Sequence, residues 1–160
     1  MIVVLAKKKN YLAMILNSVR GENNIFKNVY ASVDGVEQDI VRNGFLGCAF
    51  FASGILLMNG LISSMHTGVA GLERDLNENG WNETKHLQKG AIIVWEQKHG
   101  YSDEKLHKHI GFYVGDERAI SNDPSATRMP MEHHYTFGTT KEGKPVRNIV
   151  KIYQHPVLNE

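Results

Sequence analysis

The chain has 160 residues, 42% of them hydrophobic and 22% charged. That is the length and balance of one globular domain, able to bury roughly 70% of its unfolded surface without disulfide or metal staples. Its 18 basic and 17 acidic residues leave a formal net charge of +1, which excludes the strongly basic balance of a nucleic-acid binder. No run approaches the roughly 18 apolar residues of a membrane-spanning helix.

The N-terminus places Met1–Ala6 ahead of Lys7-Lys8-Lys9. A secretory signal has the reverse polarity, so a cytoplasmic location is the default expectation. A single cysteine, Cys48, rules out an internal disulfide. Oligomeric state is left open.

Periodicity predicts a helix over 7–19, with Tyr11, Leu12, Met14, Ile15, Leu16 and Val19 as its apolar stripe and Gly21 ending it. A short second helix is expected over 24–31, burying Ile25, Phe26, Val29 and Tyr30. The segment 31–41 carries a turn signal at Asp34-Gly35, read as a hairpin or an irregular loop. Next comes a glycine-flanked loop, then Cys48 at the start of an apolar helix that stops at Asn59-Gly60. A helix over 69–79 follows, with Leu72 and Leu76 inward and Glu73, Arg74, Asp75 and Glu78 read as a solvated face.

The second half reads as strands: 91–96, then a polar loop over 97–106, then 109–114, a tight turn at 115–117, and 118–122. After a loop over 123–130, residues 131–137 are expected to be extended, and 146–153 forms the last strand. The order predicts an α+β domain, with N-terminal helices packed on an antiparallel sheet. No internal boundary divides it; residues 1–160 form one domain, with 1–42 a helical extension on the core.

Two readings of Cys48 compete. As filler, it is a small apolar side chain in a core helix. As a nucleophile, it sits where a helix N-terminus contributes partial positive charge that stabilises a thiolate. The nucleophile needs a base and an orienting group. His109 opens a predicted strand, and Ser121 and Asn122 lie one hairpin away.

With these residues placed, the chain resembles the NlpC-type cysteine peptidases and the related CHAP amidases. The resemblance rests on Gly90-Ala91-Ile92-Ile93-Val94-Trp95, on His109-Ile110-Gly111-Phe112-Tyr113-Val114-Gly115-Asp116, and on Arg118-Ala119-Ile120-Ser121, downstream of the Cys48 helix. It spans about residues 43–123 and the closing strand. It implies a papain-like fold, Cys48 as nucleophile, His109 as base, and an oxyanion hole built partly from the Cys48 N–H. The third residue is Ser121 by ungapped counting, or Asn122 with a one-residue bulge; Asn is a type the family accepts there, and Asn122 is favoured. The implied substrate is a peptide or amide bond, notably in cell-wall peptidoglycan, and no cofactor is expected. Where the family often has Asp-Cys-Ser-Gly, this chain has Gly47-Cys48-Ala49-Phe50.

Tyr113, His133 and His134 are candidates for lining the substrate cleft. Trp81 and Trp95 are expected in the core, and His66, His86, His99 and His155 on the surface. Two alternatives accompany the thiol reading. One is a zinc hydrolase using His107, His109 and His133 or His134. The other is a non-catalytic binding module on the same fold.

Overall fold

The structure is a computed structural model that describes residues 7–22, 25–99 and 103–159. The expected N-terminal apolar segment, the first residue of the expected second helix and Gly100 lie outside these residues. Among the described residues, helix α1 (Lys7–Asn17) is followed by a hairpin of β1 (Tyr30–Val33) and β2 (Val36–Asp39). Then come helices α2 (Cys48–Met58) and α3 (Val69–Glu78) and strands β3 (Asn82–Thr84), β4 (Ile92–His99), β5 (Leu106–Gly115), β6 (Arg118–Asn122), β7 (Pro130–His134) and β8 (Ile149–Gln154). Strands β3 to β8 form one antiparallel sheet in the order β3-β8-β4-β5-β6-β7. The molecule is therefore an α+β domain with helices on a sheet. No helix among the described residues is long and apolar enough to cross a membrane.

Helix α2 is apolar all round, the pattern of a buried helix. Ala49, Phe51, Ala52, Ile55 and Leu56 are enclosed with Ile92, Val94, Ile110, Phe112, Val114 and Ile120 from one face of the sheet. Tyr11 and Ile15 of α1 join this core, and the Tyr11 hydroxyl donates to the Gly90 carbonyl. Trp81 is in it too, its indole N–H donating to the Leu61 carbonyl. The opposite face carries a smaller cluster of Ile93, Trp95 and Ala119, covered by Leu87, Tyr113, Tyr135, Phe137 and Ile149. Strand β5 thus alternates Ile110, Phe112, Val114 toward the helices with His109, Gly111, Tyr113 away from them.

Several expectations need correction. Residues 25–31 are turn and strand, not helix: Phe26 is buried, but Ile25 and Tyr30 are 69% and 67% exposed, so these apolar residues share no face. Instead, the Asp39 carboxylate gathers this segment, accepting from Asn28 Nδ2 and from the Val29, Val41 and Asn43 N–H groups. Strand β3 is an addition, too short and polar to show a pattern. Strand β5 begins at Leu106, so His109 lies inside it and the expected loop is shorter.

Finally, Glu73 and Asp75 are buried, not solvated. Glu73 pairs with Lys108 at 3.0 Å and Lys151 at 3.0 Å, which draws its carboxyl below the ordinary range despite burial. Asp75 accepts from the Ser63 and Ser64 N–H groups and from Asn79 Nδ2, and pairs with His66 at 2.6 Å. His66 is thereby drawn off the surface. His155 likewise caps a short 3-10 turn at 156–158 and packs on Trp81. The Asp75 contacts hold the loop from Leu61 to Gly68 onto α3. Replacing Asp75 with Ala strands its donors, and the expected loss is about 2–4 kcal/mol of unfolding free energy, read by urea denaturation. Unchanged stability would show that this carboxylate does not anchor the loop.

Candidate active site

The approach to Cys48 is a tight loop. Arg42, Asn43 and Gly44 adopt φ of 51°, 53° and 82° in succession, a left-handed run that side chains other than glycine and asparagine rarely accept. A Cβ on Gly44 would meet the Arg128 carbonyl at 2.3 Å, so this glycine is required by close approach as well as by φ. The Asn122 amide donates to the Gly44 carbonyl at 2.7 Å and lies beside Gly47. Gly47 caps α2 with no side-chain hydrogen bond to its first turn.

Cys48 then opens α2 and is half-buried. The N–H of Ile110 lies against its sulfur, as does that of Ala49, and the Arg147 guanidinium is near. All three favour a thiolate. Burial opposes them and wins, so the thiol is pushed above its ordinary value. The first-turn N–H groups of α2 act in the expected direction, and the desolvation of the sulfur outweighs them.

One cavity of about 570 Å³ is lined by both Cys48 and His109. Thr67, Gly68, Val69 and Ala70 also line it, as do the basic residues Lys98, His107, Lys108 and Arg147. Arg147 was not singled out from sequence. Its guanidinium donates to the carbonyls of Glu96 and His107, tying the end of β4 to the start of β5 beside the sulfur. Its signal was its type alone, an arginine in the segment expected to open the last strand, which begins instead at Ile149.

His109 is almost wholly enclosed, on the sheet face opposite α2. Its ring lies against Trp95 and Phe137. Nε2 meets the Ser121 hydroxyl at 2.8 Å, and Nδ1 has no hydrogen-bond partner among the described residues. Burial pushes the imidazole well below its ordinary value; the charges of Arg147 and His133 add to this, and Asp123 opposes it. At neutral pH the resting site thus holds an uncharged thiol and an uncharged imidazole.

The structure separates the two candidates for the third residue. Gly111 pairs with Ser121 in register, so Ser121 shares the face of His109. Asn122 points to the other face and holds the loop before Cys48; no bulge at this point brings it to the ring. Asp123, next in line, caps the following turn by accepting from the Ser125, Ala126 and Thr127 N–H groups, which holds its carboxyl down at about 2.

Tyr113, His133 and His134 do not line the cavity. Tyr113 packs against Tyr135. His134 Nδ1 accepts from the Thr136 and Gly138 N–H groups and shapes the turn after β7. His133 reaches Ser121 from behind, at 2.8 Å. Of the histidines of the zinc alternative, His107 Nε2 is held by the Asp103 carboxylate at 2.9 Å, while His109 and His133 both engage the Ser121 hydroxyl. No group of three or more ligating side chains converges among the described residues.

The sequence matches no protein-family model and no curated protein.

Two outcomes follow. Alkylation of Cys48 by iodoacetamide is expected to be slow at neutral pH and to rise steadily as pH passes 9, because the raised thiol ionises late. A rate already at its plateau near pH 6 would contradict the burial argument. Second, a Cβ on Gly111 would meet the Ile120 carbonyl at 2.5 Å and Ser121 Cβ at 2.7 Å. Gly111→Ala is expected to cost about 1–3 kcal/mol and to part Ser121 from His109; a melting temperature equal to that of the parent would refute it.

Proposed function

We propose that the chain is a cysteine-dependent amide or peptide hydrolase. The observation that carries this reading is the shared cavity. Cys48, at the start of α2, and His109, with Nε2 engaged from behind and Nδ1 unengaged, line the same space. The resemblance to the NlpC-type and CHAP enzymes, and to the papain-like arrangement of cysteine helix and histidine strand, supports the same assignment.

In this mechanism the Cys48 sulfur attacks the substrate carbonyl carbon as its proton passes to His109 Nδ1. The neutral resting pair makes this general-base catalysis during attack, not reaction of a standing thiolate. Negative charge that develops on the carbonyl oxygen is stabilised by the uncapped N–H groups at the start of α2, including that of Cys48. Collapse breaks the C–N bond, and His109 returns the proton to the departing amine. Water then attacks the thioester, giving its proton to His109. The second collapse releases the acid, and the sulfur regains its proton. Ser121 accepts the His109 Nε2–H throughout and holds the ring in place.

The substrate class favoured by the resemblance is a peptide of the bacterial cell wall.

The test is hydrolysis of peptidoglycan fragments, followed by release of new amino groups. Cys48→Ala should lower the rate by 10³-fold or more, and His109→Ala by about 10²–10⁴-fold. Alkylation should abolish activity and chelators should leave it intact. A Cys48→Ala variant as active as the parent sinks the thiol mechanism; activity lost to chelators alone would favour the zinc alternative.

A further inference from the structure

Three side chains form a line from β7 through β6 to β5. His133 Nε2 lies 2.8 Å from the Ser121 hydroxyl, and the same hydroxyl lies 2.8 Å from His109 Nε2. Beyond His133, its Nδ1 lies 2.8 Å from the His134 carbonyl oxygen. The register explains the line. His133 pairs with Ala119, Ser121 is the next residue on that face, and Gly111 opposite Ser121 leaves room for the hydroxyl. The His133 ring is also fixed in plane, stacked on Phe137 at 4.1 Å and 16°.

The direction of each hydrogen bond follows from one end. A carbonyl oxygen only accepts, so His133 Nδ1 carries a proton. In the neutral ring Nε2 is then bare and accepts. The Ser121 hydroxyl has one proton, and it goes to His133. Ser121 must therefore accept from His109, whose Nε2 carries a proton. That leaves the lone pair of His109 on Nδ1, the nitrogen that general-base catalysis toward Cys48 requires. A lone serine at position 121 carries no such bias, because its hydroxyl rotates and donates as readily as it accepts.

The geometry points to His133 as a positioning residue that acts through Ser121 to fix the tautomer of His109. This rests on the reading of His109 as the base for Cys48, and it adds a fourth member to the set. Ser121, a weak orienter by itself, becomes a directional one because a backbone carbonyl two bonds away polarises it.

The experiment is nitrogen-15 NMR of the histidine rings of the full chain, with His109 assigned by substitution. In the parent, His109 is expected to be neutral with the proton on Nε2; a proton on Nδ1 overturns the inference without any variant. In His133→Phe, the hydroxyl of Ser121 is released to donate, and His109 should shift toward the Nδ1–H form. The rate of peptide hydrolysis should fall by about 10²-fold, in kcat with KM little changed. His133→Gln puts an amide oxygen where Nε2 stood and should restore both the tautomer and most of the rate. A folded His133→Phe protein that retains the Nε2–H form of His109 overturns the proposal. The underlying reading fails differently: if His109→Ala leaves hydrolysis unchanged, His109 is not the base, whatever its tautomer.

Discussion

Strand β5 has two faces, and the rest of the molecule follows from how they are used. Its even-numbered residues Ile110, Phe112 and Val114 are committed to the core with α2. Its odd-numbered residues carry His109 and the glycine that admits Ser121. A strand alternates by geometry, so burial of the even set places the odd set on the other face. Cys48 and His109 line one cavity, with the Ile110 N–H against the sulfur. Apolar packing thus supplies the positional accuracy that a polar site by itself lacks.

Burial has an electrostatic consequence. The same enclosure that positions Cys48 and His109 disfavours the charged form of each, and the Arg147 cation reinforces this for the imidazole while opposing it for the thiol. A site of this kind stores no standing ion pair. In the proposed mechanism proton transfer is coupled to attack, which places weight on which ring nitrogen is bare beforehand. That is why a line of hydrogen bonds ending on a backbone carbonyl has work to do here.

Much of this was legible in the residues. Helices α2 and α3 and the β5–β6 hairpin follow from periodicity, turn residues and residue type; Cys48 and His109 stood out by type and by the family resemblance, and both line one cavity. The parts that were not legible share one cause, which is dependence on partners far along the chain. Glu73 and Asp75 resemble a solvated helix face until Lys108, Lys151 and the loop at 63–66 arrive. Residues 25–31 carry apolar side chains at helical spacing, but Asp39 offers their backbone other partners. The choice between Ser121 and Asn122 turned on parity alone: one step along β6 changes the face, and only the register against Gly111 decides it. His133 was picked out for its type, yet its contact with Ser121 depends on how β7 docks on β6.

The two adjacent residues of β6 hold the two halves of the site. Ser121 steadies the histidine ring, and Asn122 steadies the glycine loop that leads into Cys48. Their separation is that of one peptide unit, which thermal motion scarcely alters. The His109 ring and the glycine loop before Cys48 are therefore held by one rigid ruler in the middle of a sheet. The loop at 123–129 can then change length and composition without moving either anchor. The surface around the cavity can vary while these two anchors keep their positions.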